Sequence, residues 1–94
     1  MVSEAEPRHQ LTRDGTRQAI GRIWGEVLRL EDLGTDDNFF ELGGHSLTAS
    51  QVIARMARTL HVEITMADFF ERPTVDGLTD LVVHRGATAG GAPE

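Results

Sequence analysis

The sequence predicts an all-α protein: a small four-helix bundle of three main helices and one short one, with a long packed loop between helices 1 and 2. Three observations carry this expectation. Apolar residues recur at helical spacing, three or four apart, in three separate stretches, over residues 20–28, 49–60 and 75–82. Strand-like alternation never persists beyond a few residues, and no segment is repeated. A chain of 94 residues has room for one core and buries only about 60% of its unfolded surface. Packing the three stripes against one another is the simplest way to hide them.

Residues 1–13 are polar, carry Pro7 and lack periodicity, so a flexible lead is expected there and a folded domain over 14–85. Helix 1 starts near Thr16, with Asp14 or Thr16 as N-cap. Ile20, Ile23, Trp24, Val27 and Leu28 form its apolar face, and Gln18, Arg22, Glu26 and Arg29 the opposite one. Gly21 and Gly25 each cost about 1 kcal/mol against alanine in a helix interior. They lie one turn apart at the edge of the apolar face. Close approach of another segment and a merely tolerated weak helix both account for them.

Residues 30–42 have no helical period and contain the turn formers Gly34, Thr35, Asp36, Asp37 and Asn38. Leu33, Phe39, Phe40 and Leu42 pin this loop to the core. Helix 2 spans 46–60. At 100° per residue, Ala49, Val52, Ile53, Met56, Ala57 and Leu60 fall on one arc, with Leu47, Gln51, Ala54, Arg55 and Arg58 opposite. Leu47 thus stands away from the core beside Ser46, either folded back on the loop or free to dock a partner. Residues 61–64 are an extended connector. Residues 65–70 form a one- to two-turn helix with Phe69 or Phe70 as a core plug. Pro73 breaks the chain, Thr74 caps the last helix, and Val75, Leu78, Leu81 and Val82 give that helix its buried stripe. The Gly- and Ala-rich residues 86–94 are an expected flexible tail.

Composition narrows the function classes. A net charge of −6 argues against binding nucleic acid, whose phosphates would repel it. There is no cysteine, so disulfides and thiolate metal sites are excluded. All nine basic residues are arginine. No apolar run is long enough for a membrane span and no signal-peptide core leads the chain, so a cytoplasmic domain is expected; a monomer is the further expectation.

Catalytic and metal readings fail on spacing. Gly44-His45-Ser46-Leu47-Thr48 begins like a nucleophile elbow but ends in threonine, and the chain is too short for the parallel sheet that motif requires. A calcium loop starting at Asp36 would have Glu41 where glycine is invariant and Leu47 where the bidentate glutamate belongs. His9, His45, His61 and His84 have no metal-ligand spacing. Ser46 survives as the notable residue. As a plain N-cap it would accept a backbone N–H. As a modification site it gains from Gly43 and Gly44, which allow positive φ and leave the hydroxyl unshielded. A helix N-terminus, moreover, favours a phosphate ester.

The stretch Asp37-Asn38-Phe39-Phe40-Glu41-Leu42-Gly43-Gly44-His45-Ser46-Leu47 resembles the core motif of peptidyl carrier (thiolation) proteins of nonribosomal peptide synthesis. Phe69-Phe70-Glu71-Arg72-Pro73-Thr74-Val75 resembles that family's third helix and the entry to its fourth. The resemblance implies that Ser46, presented by Gly43, Gly44 and His45, receives 4′-phosphopantetheine from coenzyme A through a phosphopantetheinyl transferase. It implies no catalytic residues and no metal. The arm's thiol would carry an aminoacyl or peptidyl group between adenylation, condensation, thioesterase or tailoring enzymes, which would dock on Leu47, Gln51, Arg55, Arg58 and Met66. Fatty-acid and many polyketide carriers have aspartate directly before the serine and an acidic recognition helix. His45 and the arginines at 55 and 58 favour the peptidyl class. An acyl carrier of the fatty-acid or polyketide type, or an unmodified helical adaptor, are the alternatives. The short lead and tail suit a freestanding carrier, although a domain excised from a synthetase would look much the same.

Overall fold

The computed structural model describes the backbone of residues 12–91 and the side chains of residues 12–85. Among the described residues there are helices and no strands: α1 (Arg13–Leu28), α2 (Ser46–Leu60), the short α3 (Met66–Glu71) and α4 (Val75–Gly91). The all-α fold with a long loop between the first two helices is as the apolar periodicity predicts. Residues 1–11, most of the expected lead, lie outside the described residues.

The helix starts are set by local hydrogen bonds. Thr12 caps α1, its Oγ1 accepting from the Gly15 backbone N–H at 3.0 Å. The cap is therefore neither Asp14 nor Thr16. Thr16 is fully buried against the core, and Asp14 sits in the first turn, where its charge suits the helix dipole. Thr65 caps α3 and Thr74 caps α4, the latter accepting from Gly77 N at 2.9 Å. The α4 backbone stays helical to Gly91, past the tail boundary expected at Gly86. Extending a formed helix costs far less than nucleating one, and Ala87 and Ala89 are the best helix formers available.

Of the helix 1 glycines, only Gly25 is explained by close approach. A Cβ there would meet the Leu30 carbonyl oxygen at 2.9 Å, whereas one on Gly21 would meet nothing within 4 Å. The segment that approaches is the chain's own turn out of α1. There Arg29 adopts a left-handed conformation (φ 60°) and Leu30 N–H donates to Gly25 O at 3.0 Å.

The core is built on three aromatics from three elements. Trp24 of α1, Phe39 of the loop and Phe69 of α3 are all completely buried. Phe39 meets Trp24 edge-on at 4.9 Å and Phe69 edge-on at 4.9 Å, the offset geometry that ring quadrupoles favour. Ile20 and Ile23, then Ala49, Val52, Met56 and Leu60, then Val75, Leu78 and Val82 pack around them, matching the expected stripes. Ala57 does not: it is exposed. It lies at the border of the α2 arc.

The loop is stitched to the start of α4. Phe39 N–H donates to Pro73 O at 2.8 Å and Asp76 N–H donates to Thr35 O at 2.8 Å. Its turn formers act locally. Asp37 Oδ2 accepts from Gly34 N at 2.8 Å, and Asn38 Oδ1 accepts from Phe40 N at 2.8 Å. The result is a rigid strap that delivers residues 43–46 to the head of α2.

Candidate functional site

Ser46 opens α2, and the residues before it explain how it is held. Gly43 has φ +104°, a region that side chains penalise. Gly44 has a different reason to be glycine. A Cβ there would lie 2.2 Å from Phe39 Cε2 and 2.8 Å from the Phe39 carbonyl oxygen. The sequence offers both glycines as positions that allow positive φ and leave the hydroxyl unshielded. The structure shows that one makes a turn and the other lets the backbone rest on a buried ring.

His45, extended at φ −151°, is the N-cap residue, so Ser46 is the first helical residue and not the cap. The capping bonds belong to Thr48. Its Oγ1 accepts from His45 N–H at 2.9 Å and donates to the His45 carbonyl at 2.9 Å. Among the described residues nothing hydrogen bonds the Ser46 hydroxyl. The first intrahelical bond runs from Ala49 N–H to His45 O at 2.8 Å, so the N–H groups of Ser46, Leu47 and Thr48 have no intrahelical acceptor. An exposed hydroxyl therefore stands at the positive end of a 15-residue helix.

Around it, Leu47 is 63% exposed, and Gln51 and Arg58 are exposed as well. Arg55 differs: it is half-buried, and its Nη1 donates to Glu26 of α1 at 2.5 Å. Met66 is also half-buried, leaning on the core at the start of α3. The aromatic pair of α3 divides its labour. Phe69 is the core plug, while Phe70 is 51% exposed and stacks on half-buried Phe40 at 5.3 Å. Phe70 is a candidate partner contact that sequence reasoning missed. The signal was the doubled phenylalanine, since two adjacent residues of a six-residue helix cannot both face one core.

Asp68 secures α3. Its carboxylate is held below the usual carboxylate range, first by the Thr65 backbone N–H, which donates to Oδ2 at 3.0 Å, and then by Arg85. A depressed folded-state value means the stabilisation is present above the ordinary carboxylate pKa and is lost as pH falls through the lower one. The stability gap between the native chain and Asp68→Asn should stay constant from about pH 5 to 8 and shrink below about pH 4. Urea melts at pH 7 and pH 3 read this directly. A gap of the same size at both would remove Asp68 as the cause.

Fold and motif together define the acyl-carrier-like class of helical bundles. The chain belongs to the phosphopantetheine attachment-site family, whose model matches residues 18–82. It is 39% identical over 83 residues to surfactin synthase subunit 1 of Bacillus subtilis (strain 168), covering 86% of this chain and 2% of that protein. The structure of the phosphopantetheine transferase Sfp in complex with coenzyme A and a peptidyl carrier protein matches with TM-score 0.73 and 36% identity, covering 74% of this chain and 91% of the matched one. A solution structure described as a prototype for the peptidyl carrier domains of modular peptide synthetases matches with TM-score 0.66 and 37% identity, covering 71% and 88%. The chain is thus a carrier domain of the kind found in nonribosomal peptide synthetases, and the family's cofactor is 4′-phosphopantetheine. Against the synthases it spans only a small fraction of their length. No helix among the described residues is long and apolar enough to cross a membrane.

Proposed function

We propose that this domain is a non-catalytic peptidyl carrier whose attachment residue is Ser46. The observation that carries the reading is the unengaged, exposed hydroxyl at the first position of α2, led in by a positive-φ glycine. In the loading step the Ser46 Oγ bonds to the β-phosphorus of coenzyme A. The pyrophosphate P–O bond breaks, 3′-phosphoadenosine 5′-phosphate leaves, and the serine proton passes to a base on the transferase. The residues here fit such a group: the N–H groups of Ser46, Leu47 and Thr48 lack intrahelical acceptors at the positive end of the helix and would favour a phosphodiester on Ser46. Once attached, the arm supplies a thiol that holds an aminoacyl or peptidyl group as a thioester, which suits a chain with no cysteine of its own. The chain's residues present the serine and offer a docking face. Acid–base chemistry is left to partners such as adenylation, condensation and thioesterase enzymes.

The docking face comprises Leu47, Gln51 and Arg58, with Met66 at its border and Phe70 added from α3. Arg55 contributes less than its helical position suggests, because its guanidinium is committed to Glu26. Leu47→Ala and Arg58→Glu should each slow partner reactions about three- to tenfold, while an exposed position moves stability by less than about 0.5 kcal/mol. Loading kinetics at the native level combined with a lowered melting temperature would reverse that assignment. The carrier reading itself is tested by incubating the domain with coenzyme A and a promiscuous transferase, then mapping the mass gain by fragmentation. An unchanged mass refutes it.

A further inference from the structure

We propose that Arg85 is a positioning residue for docking of the phosphopantetheinyl transferase: from α4 it fixes the orientation of α3 and thereby sets Phe70 on the docking face. The inference rests on the docking role given to Phe70 above. A helix of six residues is too short to hold itself. Phe69 is its one buried side chain and Met66, one turn earlier, leans half-buried on the core, so packing alone holds the rotation of this short helix only loosely. The rotation is fixed at the N-terminal end. Thr65 N–H donates to Asp68 Oδ2 at 3.0 Å and Asp68 N–H donates to Thr65 Oγ1 at 3.0 Å, closing a capping box. Arg85 locks that box from outside. Its Nη1 donates to the same Asp68 Oδ2 at 2.8 Å and to the Glu63 carbonyl at 2.8 Å. One guanidinium nitrogen thus ties the connector entering α3 and the first turn of α3 to a helix 17 residues further on in sequence.

The geometry suits this task better than it suits bulk stabilisation. The Asp68 side chain is 18% exposed and that of Arg85 39% exposed, and ion pairs this open contribute little to stability. The planar guanidinium nevertheless fixes angles that a lysine ammonium would leave free. Phe70 follows the buried Phe69 directly and stacks on Phe40 with ring planes 29° apart. A small rotation of α3 would break that stack and reshape the exposed apolar surface. Arg85 acts on that surface through Asp68 and α3.

The test uses the whole chain, with Sfp and coenzyme A as the probe, and measures KM for the carrier and kcat separately. All variants are first checked for helicity at the assay temperature. Arg85→Gln is expected to raise KM about fivefold with kcat within about twofold, and Arg85→Lys to recover part of the loss. Phe70→Ser should raise KM on its own, and Arg85→Gln should add nothing further in the Phe70→Ser background. If Phe70→Ser raises KM while Arg85→Gln leaves it at the native value, Arg85 does not position the face and the docking role of Phe70 stands. Full additivity of the two changes also overturns the inference, because Arg85 would then act elsewhere. A native KM for Phe70→Ser removes the docking reading, and the inference falls with it.

Discussion

Gly44→Ala is expected to destabilise the domain by about 3 kcal/mol, the largest loss of any single methyl added near the site. The added carbon would lie 2.2 Å and 2.4 Å from two Phe39 ring carbons and 2.8 Å from the Phe39 carbonyl oxygen. None of these can give way cheaply. The ring is completely buried and wedged edge-on between Trp24 and Phe69 at 4.9 Å each. The backbone is held as well, because Phe39 N–H is bonded to Pro73 O and Phe39 O accepts from Gly44 N at 3.0 Å. Relief therefore requires the strap to lift from the core, which carries Ser46 with it. Gly43→Ala is the informative contrast. Its Cβ would meet nothing within 4 Å, so the cost is only that of a non-glycine residue at φ +104°, about 1–2 kcal/mol. Urea denaturation of the two variants separates the mechanisms. A Gly44→Ala midpoint indistinguishable from native would show that Phe39 can move, and that the aromatic wedge is softer than its burial implies.

That contrast also shows where sequence reasoning reaches and where it stops. The stripes on α1, α2 and α4 follow from periodicity alone, and Ile20, Trp24, Val52, Met56 and Leu78 fall in the core as spacing demands. The turn formers Asp37 and Asn38 do what their short side chains predict, bonding backbone N–H groups within three residues. The place of Ser46 at the head of α2 is legible to the same degree. What escapes is every feature decided by contacts distant in sequence or by competition between neighbours. Gly44 is glycine because of a ring five positions back that tertiary packing folds over it. Arg55 is on the exposed face by helical angle, yet Glu26, 29 residues away, claims it. His45, Ser46 and Thr48 all bear polar side chains near one helix start. Which of them caps depends on a one-residue choice of where α2 begins, and the answer moved Ser46 from cap to first helical residue.

That shift gives Ser46→Ala a two-part expectation. Loading by a transferase and coenzyme A should be abolished, since alanine has no nucleophile to form the phosphodiester. Stability, however, should change by less than about 0.5 kcal/mol. An N-cap serine replaced by alanine typically costs about 1 kcal/mol, because a backbone N–H loses its acceptor. Ser46 accepts no such bond; the polar cap contacts are those of Thr48 with the His45 backbone. Inside the first turn, alanine is a better helix former than serine, which offsets any small loss of hydration. Thr48→Ala should show the opposite pattern, destabilised by about 1 kcal/mol yet still loaded. Intact-mass spectra and urea midpoints on the two variants read both halves. If Ser46→Ala loses the stability of a cap, the serine has a structural role at the helix start. If it still gains the mass of a phosphopantetheine unit, the attachment lies elsewhere on the chain. Only the combination of native stability and complete loss of loading fits a serine that the fold displays and does not itself use.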